Sequence, residues 1–284
     1  YLTRILTEDS FLARFGGDEF VIVQNHATWS QLEQMTIQLQ SMLDVYNQTA
    51  DHPISYAVGY DISCKNHYYL IMDLLQSADQ KMYQDKLTTP ERIAQQVQSG
   101  WLLGMDTATS QTPAIMTAIA ERIRNSDITG VKVQALLDAY PFEFYTDPTL
   151  AGKMTGYSWF SSSAARKAVN AGYADIIPAY YRDFPTRIRT EYDYDAVCVE
   201  VAPMDRHGYF SLALNGSYID AMLDKTKRIF LEVNDRQPRA LCGSLIHISQ
   251  VDALVEYHHD LPVLPPVLVA PVTFIMRPAL VRAL

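Results

Sequence analysis

The chain has 284 residues, of which 48% are hydrophobic and 19% are charged, a composition typical of a globular protein with more than one domain. Its 23 basic and 32 acidic side chains leave a formal net charge of −9, and neither Lys nor Arg clusters along any short stretch. A basic surface for nucleic acid is therefore excluded, and we expect two folded units with no DNA or RNA partner.

The first predicted element is a β-hairpin. Residues 11–15 and 20–23 are short runs of β-branched or aromatic residues. They flank the sequence Gly16-Gly17-Asp18-Glu19, a turn composition that suits positive φ angles. The two acids are therefore predicted to project from the tip of the hairpin.

A helix, a strand and a second helix are predicted to follow. Thr28 and Gln31 match a capping box, and apolar residues recur at helical spacing from Leu32 to Tyr46. The next predictions are a strand over residues 54–60 and a helix over residues 69–86.

Two motifs accompany this order of elements. They are Gly16-Gly17-Asp18-Glu19-Phe20 in the hairpin, and Ser77-Ala78-Asp79 with Met82-Tyr83 and Lys86 in the second helix. Together they resemble the C-terminal part of the GGDEF (diguanylate cyclase) family. The resemblance implies that Gly16 and Gly17 approach GTP and that Asp18 and Glu19 hold Mg²⁺ or serve the chemistry. The alternative interpretation makes both acids solvated turn residues.

We expect no GTP turnover from this first unit alone. In the family, the preceding strand and helices carry a further metal-binding aspartate, whereas residues 1–10 precede the hairpin here. The family's inhibitory product-binding Arg and Asp fall on Thr7 and Ser10, which cannot make charge-assisted hydrogen bonds. Residues 1–86 are therefore predicted to form a partial, α+β GGDEF-like module.

Strands and helices alternate in the second unit, which begins without a flexible linker because Thr89 and Pro90 open a new helix directly. The predicted elements are a strand at 101–104, a helix at 113–124, a strand at 131–137, a helix at 163–171 ending at Gly172, an apolar run at 174–179, a strand at 196–202, a helix at 217–225 and a strand at 228–233. This alternation predicts an α/β fold with a mainly parallel sheet covered by helices.

Four groups of motifs lie on this unit. They are Arg166-Lys167-Ala168-Val169 with Gly172, Ala174-Asp175 and Pro178; Ala202-Pro203-Met204-Asp205 with His207-Gly208-Tyr209; Glu232-Val233-Asn234 with Pro238-Arg239; and Ser244-Leu245-Ile246-His247 with Ser249 and Asp252. In this order they resemble the N-terminal domain of acetyl-CoA hydrolase/transferase proteins, most closely the 4-hydroxybutyrate and butyryl-CoA:acetate CoA-transferase group. Residues 87–266 are therefore predicted to form a CoA-transferase N-terminal domain.

The resemblance implies a coenzyme A thioester as substrate, with an acyl-CoA and a short carboxylic acid as partners. In that family, a glutamate attacks the acyl-CoA and forms covalent intermediates. The glutamate and a glycine-rich CoA segment belong to a C-terminal domain, which residues 267–284 do not resemble. We therefore predict no catalytic residue in this chain and expect it to be inactive alone.

The segment from Gly104, Met105 and Asp106 to Pro113 is predicted to be a loop between a strand and a helix. In α/β folds, ligands bind at such positions, and helix N-terminal N–H groups can meet an anion. Two interpretations stay open: a carboxylate-binding loop that faces the cleft, as the family resemblance implies, and an ordinary capped connection.

The remaining acids and histidines are interpreted as structural. Glu200, Glu232 and Glu256 lie on or at the ends of predicted strands, and the spacing of Asp205, His207 and His247 is too sparse for a metal or acid/base site. His207 is expected to fix a turn before Gly208. His258 and His259 are adjacent in an extended segment, so their side chains should point to opposite faces.

The cysteines and the chain ends complete the predictions. Cys64, Cys198 and Cys242 lie far apart, which favours reduced thiols in a cytoplasmic protein. Five prolines interrupt the apolar residues 261–284, so a membrane span is not predicted there. The start at Tyr1, without a signal peptide, and the tail at 267–284 suggest a fragment or a composite of gene pieces.

Three hypotheses for function follow, in this order. The first is a CoA-transferase family chain of short-chain acyl-CoA and acetate metabolism. The second is a fragment related to cyclic di-GMP signalling, and the third is a non-catalytic fusion.

Overall fold

The computed structural model describes residues 1–16, 19–50, 54, 56–63, 70–214, 216–240 and 244–263. Gly17 and Asp18 of the predicted hairpin tip, Cys64, Cys242 and the tail 267–284 lie outside the described residues. The strands are β1 (Ser10–Gly16), β2 (Glu19–Gln24), β3 (Leu102–Thr107), β4 (Val131–Leu136), β5 (Met154–Ser158), β6 (Ala174–Ile176), β7 (Ala196–Val201), β8 (Tyr209–Ser211), β9 (Ile229–Val233), β10 (Leu245–His247) and β11 (Ala253–Glu256). The helices are α1 (Trp29–Asn47), α2 (Ile71–Lys86), α3 (Pro90–Ala94), α4 (Pro113–Arg124), α5 (Glu143–Thr146), α6 (Ser163–Ala171), α7 (Phe184–Glu191) and α8 (Ile219–Leu223).

The N-terminal hairpin and the first helix confirm the predictions for that region. Strands β1 and β2 pair antiparallel. Helix α1 opens with the predicted capping box, in which the Gln31 N–H donates to the Thr28 hydroxyl and the Thr28 N–H donates to the Gln31 side chain. Leu39 and Leu43 of α1 pack with Ile5 into a small core.

The predicted strand over residues 54–60 is wrong for the part that the structure describes, which is irregular there. The backbone N–H and C=O of Ile54 both bond the Asn47 side chain, so they are not available to a strand ladder. Gly59 lies so close to the Ala78 backbone of α2 that a Cβ atom would not fit. Side-chain bonding and contact with a helix therefore replace strand pairing in this segment.

The second unit is built on a parallel sheet, as predicted. Within the described residues the sheet has seven strands in the order β11-β9-β7-β3-β4-β5-β6, and neighbouring strands are parallel throughout. The chain starts at β3, moves outward through β4 and β5 to β6, and then returns to place β7 on the other side of β3. The sheet is therefore doubly wound, with the change of direction between β3 and β7.

Both faces of this sheet are covered. Ala196 and Cys198 of β7 face a core that contains α3, α4 and α6, whereas Val197 and Val199 face a second core that contains α7 and α8. This alternation follows from the period of two along a strand, and a near-continuous apolar run is what a strand buried on both faces requires. Cys198 is a free, buried thiol.

Helix α2 joins the two units. Tyr83 is buried in the second core and donates a 2.6 Å hydrogen bond to Glu256 at the end of β11. Lys86 is also buried, and its ammonium group donates to the Ile248 carbonyl at 2.7 Å. Just after the helix, Leu87 forms a parallel bridge with Leu254. The C-terminal half of α2 therefore packs against the edge of the large sheet.

Among the described residues, no helix combines the length and the apolar character that crossing a bilayer requires.

Candidate functional site

The chain changes its winding direction between β3 and β7, and doubly wound sheets bind ligands beside the carboxyl ends of the strands at such a position. Glu200 lies near the end of β7 and is in register with Glu232 on the neighbouring parallel strand β9. Both side chains are 0% exposed. Glu200 continues the face of Ala196 and Cys198, and Glu232 continues the face of Phe230, so both point towards the layer that contains α4. Strand pairing thus brings two buried carboxyl groups together.

Glu232 occupies the N-terminus of α4. The Ile115 N–H donates to Oε2 at 3.0 Å and the Ala114 N–H donates to Oε1 at 3.3 Å. Thr112, at the N-cap position, makes no capping bond with its own side chain. Glu232 therefore serves as a cap from a neighbouring strand. The N-terminal N–H groups of α4 therefore bind the carboxylate of Glu232, a residue of the same chain.

Glu200 is held by three polar partners. The side-chain amides of Asn234 and Gln237 donate to its Oε1 at 3.1 and 2.7 Å, and Oε2 lies 2.7 Å from His259 Nε2. The same nitrogen of His259 lies 4.0 Å from Glu232 Oε1. The structure thus groups Glu200, Glu232 and His259, with one ligand atom from each within 4.8 Å of the others. We call these three residues the Glu–Glu–His cluster.

Burial dominates the electrostatics of this cluster. It raises the pKa of Glu232 to about 8, with a further increase from the adjacent Glu200 and an opposing effect of the two α4 N–H groups. Burial also raises the pKa of Glu200, against the hydrogen bonds from Gln237, Asn234 and His259. Tyr140 lies close by, since the Glu200 and Glu232 charges add to the effect of burial in raising its pKa. The cluster can therefore retain a proton at neutral pH, or bind a cation.

Gly104, Met105 and Asp106 all lie within β3, so the loop prediction is wrong for Met105 and Asp106, and Gly104 belongs to the strand predicted at 101–104. Met105 and Asp106 are 0% exposed, and the connection to α4 begins at Ala108 with a short 3₁₀ turn over Ala108–Ser110. Pairing with β4 and β7 on both sides extends this strand past the glycine. The connection itself is tied to the next strand, because the Gln111 side chain donates to Asp138 and accepts from the Ala139 N–H. A carboxylate-binding role for this segment stays a prediction.

Glu19, the described acid of the GGDEF-like signature, faces the second unit. The Ser249 hydroxyl donates to its Oε1 at 2.7 Å, and the same oxygen lies 2.9 Å from His247 Nδ1. Asp79 of α2 lies 3.9 Å from the other ring nitrogen of His247. Gly16 ends β1, while Gly17 and Asp18 lie outside the described residues. The structure thus brings Glu19 to the motif that contains His247 and Ser249.

The turn at Asp205 is fixed by the aspartate. Its Oδ1 accepts the backbone N–H groups of His207 and Tyr209, and Arg239 forms an ion pair with its other oxygen. His207 contributes a backbone donor to this turn, while its ring contacts Arg206. His207 therefore takes part in fixing this turn, as expected, but through its backbone N–H, and Asp205 supplies the acceptor.

Sequence patterns alone did not identify the Glu–Glu–His cluster. The sequence did contain a signal for the two acids, since each lies near the end of an apolar strand and continues a face that is buried at every second residue. No comparable signal marked His259, which follows β11 in an extended segment beside His258. The expectation that these two histidines point to opposite faces is compatible with the cluster, because His258 Nδ1 accepts the Asp235 N–H instead, at 3.3 Å.

Two family profiles match the chain. The acetyl-CoA hydrolase/transferase N-terminal domain matches residues 72–265, and the diguanylate cyclase GGDEF domain matches residues 1–92. The two matches overlap on α2.

Curated relatives and a solved structure agree with the first of these matches. The chain is 31% identical over 190 residues to the succinyl-CoA:cyclohexane-1-carboxylate CoA transferase of Geobacter metallireducens. This match covers 66% of this chain and 43% of that protein. It is 31% identical to the butyryl-CoA:acetate CoA-transferase of Anaerostipes caccae, covering 61% and 39%. The crystal structure of RipA from Yersinia pestis superposes with a TM-score of 0.63 at 29% identity, covering 68% and 47%. The chain thus spans less than half the length of each.

Proposed function

The chain belongs to the acetyl-CoA hydrolase/transferase family, and from this membership we propose that it supplies the N-terminal half of an acyl-CoA:carboxylate CoA-transferase. Its partners would be a short-chain acyl-CoA and a short carboxylic acid such as acetate. The observation that carries the proposal is the match of residues 72–265 to the family profile. It is supported by a doubly wound sheet that changes its winding direction between β3 and β7, the position where such sheets bind ligands.

We further propose that residues 1–284 do not transfer CoA alone. A nucleophilic glutamate needs a carboxylate that can reach the thioester carbonyl. Glu200 and Glu232 are fully buried and held by hydrogen bonds, and Glu256 accepts the Tyr83 hydroxyl. None of these three presents a free carboxylate. The nucleophile would come from the C-terminal half of the family's architecture, which residues 72–265 do not include.

Reconstitution tests both proposals. The chain would be coexpressed with the C-terminal half of the Anaerostipes caccae butyryl-CoA:acetate CoA-transferase, and conversion of butyryl-CoA to acetyl-CoA in acetate would be followed by chromatography. The expected result is background conversion by the chain alone and conversion well above background by the pair. The matched control pairs the relative's own two halves, which shows that the split enzyme can assemble.

Two outcomes would contradict the proposals. Failure of the chain to support activity, while the relative's own halves do so, would overturn the assignment as a working transferase half. Efficient transfer by the chain alone would overturn the inactivity proposal. In that case, borohydride reduction of the intermediate and peptide mapping would locate the modified carboxylate.

For the GGDEF-like module we propose no cyclic-dinucleotide synthesis by this chain. Glu19, which the family resemblance assigns to Mg²⁺ or to the chemistry, is bonded instead to Ser249 and contacts His247. Incubation with GTP and Mg²⁺ should leave the nucleotide unchanged. Formation of cyclic di-GMP that is lost in the Glu19→Ala variant would contradict this proposal.

A further inference from the structure

We propose that the Glu–Glu–His cluster binds a divalent transition-metal cation through Glu200, Glu232 and His259, with Zn²⁺ as the probe ion. This proposal concerns the N-terminal half itself and does not depend on transferase activity.

The ligand atoms are close to the spacing that one ion requires. Carboxylate oxygens and imidazole nitrogens bind Zn²⁺ at about 2.0–2.2 Å, so two ligands at a tetrahedral angle lie about 3.4 Å apart. In the cluster, His259 Nε2 lies 2.7 Å from Glu200 Oε2 and 4.0 Å from Glu232 Oε1. With one atom per residue all within 4.8 Å, each ligand would need to move by less than about 1 Å.

The orientation of the imidazole suits a metal ligand. His259 Nδ1 lies 3.1 Å from the Asp260 backbone carbonyl, which can accept its N–H, and Nε2 lies 2.7 Å from Glu200 Oε2. In the tautomer that carries the proton on Nδ1, the lone pair of Nε2 faces the cluster and is available to a cation. Metal-ligating histidines usually donate their other N–H to such a carbonyl.

A fourth potential ligand atom, an amide oxygen, lies beside the cluster. Gln237 is 4% exposed, and its Oε1 has no hydrogen-bond partner among the described residues. Its Nε2 donates to Glu200 Oε1 at 2.7 Å and to the Thr109 carbonyl at 2.6 Å, which fixes the amide orientation. Because the two atoms of an amide group are close together, Gln237 Oε1 lies within about 5 Å of Glu200 Oε1. A buried amide oxygen without a donor is a suitable additional ligand for a cation.

Charge and ligand type narrow the choice of ion. On binding a dication, the two buried carboxyl groups would release any bound proton, and their two negative charges would balance the ion. The ligand atoms are oxygen and nitrogen, without a thiolate, which disfavours Cu⁺ and suits Zn²⁺, Mn²⁺ or Fe²⁺. Each carboxylate also has hydrogen bonds from outside the cluster, from Asn234 to Glu200 and from the α4 N–H groups to Glu232. Such supporting bonds orient ligands towards a metal.

Calorimetric titration of the untagged, chelator-treated chain with Zn²⁺ tests the proposal. We expect one equivalent of Zn²⁺ to bind at the cluster, and binding of this equivalent to weaken at least tenfold in Glu200→Gln and in His259→Gln. His258→Gln is the matched control, because it removes an adjacent imidazole that pairs with Asp235 outside the cluster. Circular dichroism would verify that each variant is folded.

X-ray absorption of the Zn²⁺-loaded wild-type chain provides a readout that does not depend on the variants. The expected spectrum shows oxygen and nitrogen ligands near 2.0 Å with scattering from one imidazole. Absence of Zn²⁺ binding by the folded wild-type chain would overturn the proposal. His259 and Glu200 would then be joined by a hydrogen bond alone. Equal binding by the Glu200, His259 and His258 variants would also overturn it, since the ion would then bind elsewhere.

Discussion

Asp106 is an aspartate that lies fully buried in the central sheet, whereas aspartates are usually exposed to solvent. The side chain is fully buried in β3, where its Oδ1 accepts the Thr107 N–H at 2.7 Å and Oδ2 has no hydrogen-bond partner among the described residues. Burial raises its pKa to about 7. Between the pKa of the unfolded chain, about 4, and this value, the folded state binds more protons, so the free energy of unfolding falls as the pH rises.

We predict that Asp106→Asn stabilises the protein at pH 8 and has little effect at pH 4. A shift of about three pKa units corresponds to at most about 4 kcal/mol, and we expect a gain of about 1–3 kcal/mol after relaxation. Urea denaturation at both pH values measures the difference, with the exposed Asp127→Asn as the control. A gain that is equal at the two pH values would show that ionisation is not its source.

Residues of the candidate site were harder to predict than the strands that carry them. Glu200 and Glu232 are separated by about 30 residues, and they meet because β7 and β9 are neighbours in the sheet. Strand order depends on how the whole chain packs, so sequence periodicity could place each acid on a face but could not pair them. Asp106 was misplaced in a loop because aspartate disfavours strands, whereas β3 continues past Gly104 through the pairing of Met105 with β7 and of Thr107 with β4.

At the scale of elements, local chemical signals predicted boundaries well. Helix α4 has the predicted bounds, Pro113–Arg124, because proline suits the first turn and apolar residues follow at helical spacing. Helix α6 ends at the predicted Gly172, which has a φ of 83°. The short strands β5 and β11 were missed, since each has at most five residues and is recognisable through its parallel neighbours.

We predict that Gly172→Ala destabilises the protein by about 1 kcal/mol, because alanine resists the left-handed conformation at this helix end. A Cβ atom at Gly172 would meet no atom within 4 Å, so the effect would come from the backbone alone. Gly216 is the matched control, since its Cβ would also be in open space and it carries no positive φ. Chemical denaturation should show no loss for Gly216→Ala. Equal losses in both variants would contradict this explanation.

At the scale of the whole molecule, α2 determines where the first unit can be separated from the second. We predict that a fragment starting at residue 71 is more stable than one starting at residue 88, because the longer fragment retains buried Tyr83 and Lys86 and their bonds to Glu256 and Ile248. Loss of a buried aromatic side chain costs about 3–5 kcal/mol. Thermal unfolding of the two fragments measures the difference. Equal stability would support a boundary at residues 86 and 87.

The contact of Glu19 with the second unit gives a further prediction at this scale. Glu19→Ala should free Ser249 and His247 and reduce hydrogen-exchange protection of the β1–β2 hairpin, by about 0.5–1.5 kcal/mol. Glu33→Ala, on the exposed surface of α1, is the control. Unchanged protection in the Glu19 variant would show that the hairpin is held without this contact.

The return of the chain from β6 to β7 also has a consequence for how the protein acquires its structure during synthesis. Strands β3, β4, β5 and β6 are adjacent in the sheet in the order of the sequence, whereas the central pair joins Leu103 to Ala196. The loop that this central pair closes is therefore long, and such contacts form slowly. Until β7 emerges from the ribosome, one edge of β3 carries unpaired backbone groups, so the half-sheet is the species most exposed to misassembly.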